Sequence, residues 1–290
     1  MSSAMSTVVV VVTFVATTLS VTTFSLNLYL LLSIFLFKTI QRKVDMTLIY
    51  SRFLIDTLYG FANTINLSYI LVRAFFPDAV IKNLSFFTAW PTFNLGSTRC
   101  FLVLFITSDR VFACCAPIFY HRHRSKVSNL VLFPIIFSYS AFEYYILFGI
   151  CGYVLDVPLS CISFTCSVSP CYRSYWINFE QIGYFTIGVL SLIICFRLFI
   201  WNYFSKGQPK KEISRTTRLS LLDTCFIFIF DVLPSFLYAN FPQINFQTVG
   251  PLTSVCKNSG FVIETSIICN ILIGKKPTVV MSSSRISPMF

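Results

Sequence analysis

Long apolar runs alternate with short polar corners along the whole chain. The first run extends from about Val8 to Phe37, where roughly twenty residues suffice to cross hydrocarbon at about 1.5 Å per residue. Further runs follow at about 46–72, 86–112, 130–152, 177–203, 219–239 and 251–273. The pattern predicts an all-α membrane protein, a seven-helix bundle spanning residues 8–274, with 1–7 as a short leading segment and 275–290 as a Ser-rich tail. The third run is the least apolar. It holds Pro91, Gly96 and Arg99 and is acceptable only inside a bundle. Tyr153 to Tyr175, interrupted by Pro158 and Pro170, is too polar and broken to span and reads as a long loop. Met1 to Ser6 carries no side-chain charge, unlike the basic start of a cleaved leader, so an uncleaved first span is expected.

Charge then orients the runs. Lys38, Arg42 and Lys43 end the first one, and Lys and Arg accumulate in the cytoplasmic loops of membrane proteins. The N-terminus is therefore expected outside and the C-terminus inside. With seven spans, about fourteen of the 22 Lys and Arg fall on the inner side, including Lys206, Lys210, Lys211, Arg215 and Arg218, against about three outside: Arg73, Lys82 and Arg173. Five more, Arg52, Arg99, Arg110, Arg197 and Lys257, lie in or at the edges of spans. Dropping the weak third run would put Lys210 and Lys211 outside, against the same rule.

Composition agrees. Hydrophobic residues make up 56% and charged residues 11%, too little polar surface to coat a soluble globule of this length. The net charge of +11 lies in clusters between apolar runs, so it reports topology rather than a nucleic-acid partner; the expected solvent is the lipid bilayer. Eleven cysteines and two histidines, both histidines in His121-Arg122-His123-Arg124, supply poor material for a metal site. No metal or cofactor is expected. Motifs such as HExxH or GxSxG, which an enzyme would need, are missing from the sequence.

At the inner end of the third run stands Asp109-Arg110-Val111-Phe112-Ala113-Cys114-Cys115-Ala116-Pro117-Ile118-Phe119-Tyr120. It resembles the DRY-x-A-x-x-x-P-x-x-Y signature of rhodopsin-like G-protein-coupled receptors, matching Asp109, Arg110, Ala113, Pro117 and Tyr120, with Val111 in place of the first Tyr. Asp45 to Phe53, Pro117 to His121, the Cys161/Cys166/Cys171 loop and Asp231-Val232-Leu233-Pro234-Ser235-Phe236 look like one nematode branch, the serpentine chemoreceptors of class BC (Srbc). The resemblance covers about Leu26 to Leu272. It implies a receptor in the plasma membrane of sensory neuron cilia that takes an external small molecule and signals through a heterotrimeric G protein. The chain departs from the wider pattern at Val232, where Trp is usual, at Cys269-Asn270-Ile271-Leu272, which lacks NPxxY, and near Ser85, where the usual bridging Cys is missing.

Ionisable residues inside spans are costly and mark functional or structural polar cores. Asn27, Asp56, Arg99, Glu143, Asp231 and Glu264 are candidates for such a core, Arg99 being the one cation expected among the acids; the alternatives are a static network and a ligand contact. Asn27 and Asp56 are spaced like the hydrated pair of rhodopsin-like receptors. Arg110 is expected to be held by Asp109, and by Asp223 one turn into the sixth span, as a switch toward a G protein, or else to be a snorkelling interface Arg. Lys257 is a candidate contact for an anionic ligand group, or a partner of Asp231. Trp90 and Phe93 are candidates for an outer pocket, with Tyr144, Tyr145 and Phe241 beside them. Cys161, Cys166 and Cys171 are disulfide candidates, with Cys151 or Cys256 as a fourth partner. Asn83 is a glycosylation candidate. Cys114 and Cys115 are open to palmitoylation or burial, and Ser282 to Ser284 to phosphorylation. The competing reading is a small transporter or channel with a charged midplane pathway.

Overall fold

The computed structural model describes residues 6–40, 42, 46–76, 78–124, 129–162, 164–204, 222, 225–234, 237, 241 and 246–273. Every regular element among them is helical. In chain order they are α1 (Thr7–Phe35), α2 (Thr47–Phe75), α3 (Leu84–Cys115), α4 (Pro117–Arg124), α5 (Asn129–Tyr144) running into a π turn (Tyr145–Ile150), α6 (Phe164–Ser167), α7 (Pro170–Phe204), a second π turn (Phe228–Val232), α8 (Phe246–Val249) and α9 (Leu252–Ile273). α1 packs on α2 and α9, α2 on α3, and α3 on α5 and α7; α9 also meets the second π turn. Of the sixth expected run, 219–239, the described residues are 222, 225–234 and 237.

The surface is inverted relative to a soluble protein. Phe14, Phe185, Leu192 and Phe196 are exposed, while Arg52, Asp56, Arg99 and Glu264 are buried. That distribution is stable when hydrocarbon is the solvent, because lipid tolerates apolar side chains and penalises ions. α1 and Pro170–Arg197 of α7 are long and apolar enough by themselves to cross a bilayer. α2, α3 and α9 are 29, 32 and 22 residues long but less apolar, because the ions they contribute face inward.

Small and hydroxylated residues set the close contacts. α1 buries Val9, Thr13, Ala16, Ser20, Thr23, Asn27 and Leu30, a stripe at three- and four-residue spacing. Its hydroxyls turn back onto their own helix, as when Thr13 Oγ1 donates to the Val9 carbonyl at 2.6 Å, so they cost little inside lipid. Gly60 of α2 sits so near α1 that a Cβ there would lie 3.0 Å from Phe24 N and 3.2 Å from Phe24 Cα. Such small-residue seams let membrane helices gain dispersion contact where no hydrophobic drive exists between them.

Proline shapes several elements. Pro91 lies within α3, tolerated where neighbouring helices shield the freed carbonyl. Pro234 follows the second π turn; its ring would collide with the carbonyl four residues back in a regular α-helix. The wider turn absorbs the clash, with Leu233 N–H donating to the Phe228 carbonyl. α7 begins at Pro170, seven residues ahead of the run expected from 177, so the end of the loop is helical. Pro170 occupies the first helical position, and Tyr172 N–H donates to Ser169 Oγ at 3.3 Å, a Ser cap followed by Pro.

Candidate functional site

Four buried ions from three helices close into a ring. Arg52 and Asp56 are one turn apart on α2, which puts them on the same face. Arg99 Nε of α3 donates to Asp56 Oδ1 at 2.7 Å, and its other end lies 3.7 Å from Glu264 Oε2 of α9. Arg52 closes the circuit, 2.6 Å from Glu264 Oε2 and 3.3 Å from Asp56 Oδ2. The Arg99 guanidinium also lies over the Phe261 ring, 4.2 Å from its centroid. Two cations and two anions alternate, so the ring is neutral; a buried ion is tolerable when opposite charge and hydrogen bonds surround it. The expectation of Arg99 as the one core cation is corrected by Arg52. The i, i+4 spacing of Arg52 to Asp56 was the signal available for it.

A second group joins α7, the second π turn and α9. Lys257 Nζ donates to Glu180 Oε1 at 3.1 Å and lies 3.7 Å from Asp231 Oδ1, with the Tyr184 ring 5.6 Å away. Two acids face this amine, one of them the Asp231 named from the sequence as its alternative partner. Glu180 lies within the fifth expected run, 177–203, and went unremarked in the sequence; its partner Lys257 is 77 positions away. Glu143 stands apart from both groups. Asn94 Nδ2 donates to Glu143 Oε2 at 2.7 Å, and Tyr139 Oη donates to Oε1 at 3.3 Å. Tyr139 also meets Tyr175 Oη at 3.0 Å, so this acid clips α3, α5 and α7 together.

Asn27 joins none of these groups. Its Nδ2 donates to the Thr23 carbonyl at 3.0 Å, one turn back on its own helix, and no contact links it to Asp56 among the described residues. The single polar core expected from the sequence is therefore three separate clusters plus a lone Asn.

Where α3, α7 and the loop 151–170 meet, aromatic rings pack together. Trp90 and Phe93 belong to this cluster and Lys257 does not. Tyr144, Tyr145 and Phe241 are exposed, although the Tyr144 ring still touches Trp90 at 5.1 Å. The loop is stapled by Cys151–Cys171 and Cys161–Cys166, while Cys256 stays a free thiol. Arg73 donates to the Cys161 and Leu159 carbonyls, and Tyr153 Oη donates to the Ser167 carbonyl. Burial pushes the Tyr153 phenol up from its ordinary pKa, and Asp156 adds to the rise, so it remains a donor at neutral pH. Asn83 clamps the same loop: Oδ1 accepts from Val157 N–H at 2.9 Å and Nδ2 faces the Leu155 carbonyl at 3.5 Å. Ser85 of the same sequon is buried, and Asn83 is half-buried.

At the far end of α3, roughly 40 Å along its axis from Leu84, Arg110 donates to Asp109. Tyr120 Oη of α4 donates to Asp109 at 3.1 Å and lies 3.4 Å from the Arg110 guanidinium. Pro117 opens α4 directly after the α3 terminus at Ala116, which brings Tyr120 back onto the pair. Ile118 and Phe119 beside it are 87% and 59% exposed. Cys115 is exposed and Cys114 half-buried. Asp223 and Ser282 to Ser284 lie outside the described residues.

The sequence model of the serpentine type 7TM GPCR chemoreceptor Srbc matches residues 5–276 of the chain. No curated protein matches it.

Proposed function

Because the chain belongs to the Srbc family of serpentine 7TM GPCR chemoreceptors, we propose that it binds an external small molecule and activates a heterotrimeric G protein. The observation that carries this reading is the contact of Arg110, Asp109 and Tyr120 at one end of α3, with the disulfide-stapled loop at the other. Arg110 is neutralised by its neighbour and held by a tyrosine from the next helix. Tilting α3 against α4 separates these groups and presents a cation, together with exposed Ile118, to a cytoplasmic partner. A contact with two discrete arrangements is the kind of element through which a distant ligand acts.

In this reading the N-terminus and the loop 151–170 face outward, and α4, the basic stretch 206–218 and the tail face the cytoplasm. The protein resides in the plasma membrane, with sensory cilia as its destination. The family carries no catalytic role, and the ion ring serves to hold α2, α3 and α9 in register.

The test uses the full chain with an N-terminal tag and a calcium or cyclic-nucleotide reporter, screened against odorants and small metabolites. Arg110→Ala is expected to keep wild-type surface levels and lose the ligand-evoked response. Normal signalling at matched surface levels refutes the switch, and a tag accessible only after permeabilisation refutes the orientation.

A further inference from the structure

The aromatic chamber between α3 and α7 is filled by the chain itself. Phe164 is carried on the short ring closed by Cys161–Cys166 and is buried. It lies face to face with Phe93, centroids 3.6 Å apart. Trp90, Tyr172 and Trp176 surround it at 6.5, 6.4 and 6.3 Å. A loop phenylalanine therefore occupies the centre of the cluster, and it is tethered at both sides.

The walls of that chamber are not satisfied by this occupant. Trp90 Nε1, Trp176 Nε1 and Tyr172 Oη are buried and have no hydrogen-bond partner among the described residues, and Trp90 and Tyr172 are 2% and 0% exposed. Buried polar atoms in folded proteins are nearly always paired. Two of these three can only donate, and the third donates readily. A phenyl ring fills space well and offers donors nothing of comparable strength. The cluster itself is built of apolar and aromatic side chains.

We propose that this chamber is the ligand site and that Phe164 is a tethered stand-in for the ligand. The ligand class that fits is a small, uncharged, ring-bearing molecule with a hydrogen-bond acceptor oxygen, as in an ester, ketone or lactone. Its ring takes the space of the Phe164 side chain; an apolar cavity of about 150 Å³ is enough to hold benzene. Its oxygen takes the indole N–H groups and the Tyr172 hydroxyl. Displacing Phe164 pulls on its disulfide ring and, through the short chain between Ser167 and Pro170, on the start of α7, giving the ligand a mechanical route into the bundle. The proposal deepens the receptor reading and rests on it for the direction of entry, whereas binding itself is measured without any G protein.

The chain has three tryptophans, so Trp201→Phe leaves only Trp90 and Trp176 as indole reporters. Full-length Trp201→Phe protein with isotope-labelled tryptophan, in lipid nanodiscs, is titrated with methyl benzoate and with propylbenzene, its counterpart without oxygen. Methyl benzoate is expected to move both indole N–H resonances downfield, and propylbenzene to bind about tenfold more weakly without that shift. Phe164→Ala is expected to tighten methyl benzoate binding roughly tenfold, because the self-occupied state no longer competes. Should that variant fail to fold, the Cys161→Ser/Cys166→Ser double variant, which loosens the tether, is expected to tighten it too. Equal affinity for the two probes, unmoved indole resonances, or no tightening in either folded variant overturns the proposal. A protein that binds in this way and never signals refutes the receptor reading alone; one that signals to a different ligand and fails here refutes the chamber alone.

Discussion

Replacing Arg99 by Met tests whether the ion ring is one coupled unit. Met keeps an apolar, polarisable contact against Phe261 while removing one of the two cations. What remains is Arg52 alone, 2.6 Å from Glu264 and 3.3 Å from Asp56, so two buried carboxylates share one guanidinium. Leaving a buried charge uncompensated costs about 3–5 kcal/mol, comparable with the cost of about 3 kcal/mol for an ion at mid-bilayer. At about 2–4 °C per kcal/mol for a chain of this size, the melting temperature should fall by roughly 6–20 °C. Asp56→Leu should cost a similar amount by leaving surplus positive charge. The double variant restores neutrality, with Arg52 paired to Glu264, and should lie within about 2 kcal/mol of the parent. The assay is thermal unfolding in detergent followed by a thiol dye reaching Cys100, which is buried in α3, in a background with the exposed Cys115, Cys195 and Cys225 changed to Ser. If the double variant loses as much as the two single variants together, the four ions act separately and the ring argument is wrong. A coupling of at least about 2 kcal/mol is the expected result.

Gly60→Leu should separate α1 from α2, since even a Cβ meets the Phe24 backbone at 3.0 Å; a loss of about 1–3 kcal/mol and reduced surface expression are expected, and wild-type expression and melting would contradict the seam. Glu143→Gln should be close to neutral because its side-chain oxygen still accepts from Asn94, whereas Glu143→Ala should cost about 1–3 kcal/mol by stranding Asn94 and Tyr139; equal melting temperatures for the two would remove the clip. Cys151→Ser should lower stability by about 3 kcal/mol through release of the 20-residue loop, read as a melting shift smaller than the effect of reductant on the parent, which also opens Cys161–Cys166. Ile118→Asp should change stability by less than about 0.5 kcal/mol, as an exposed substitution does, yet reduce G-protein activation at least about tenfold; unchanged activation would exclude Ile118 from the coupling surface.

Several features of the fold were readable because their causes are local. Transfer to hydrocarbon depends on the residues of one segment, so the apolar runs announce helices before anything is known of their neighbours. Pairing is different. Arg52 and Asp56 could be matched from their four-residue spacing, but Glu264 reaches them across more than two hundred positions, and only the rotation of α9 about its axis decides whether it faces α2 or lipid. For Lys257, Asp231 was one of the partners left open by the sequence, whereas Glu180 comes from a separate helix and only the meeting of α7 and α9 brings it to the amine. The Ser169-Pro170 start of α7 carried a local signal that the polar cysteine-rich context masked.

By itself, then, the sequence determined the helical class, the lipid solvent, the cysteine-rich loop and the family resemblance around Asp109 to Tyr120, because each follows from segment composition or from a short run of residues. The tertiary structure alone decided that the buried ions form one neutral ring and one amine held by two acids, that Asn83 clamps a loop, and that Phe164 fills the chamber at Trp90 and Phe93. Those facts depend on which faces of separate helices meet, and periodicity along one strand of sequence carries no information about the azimuth of the next.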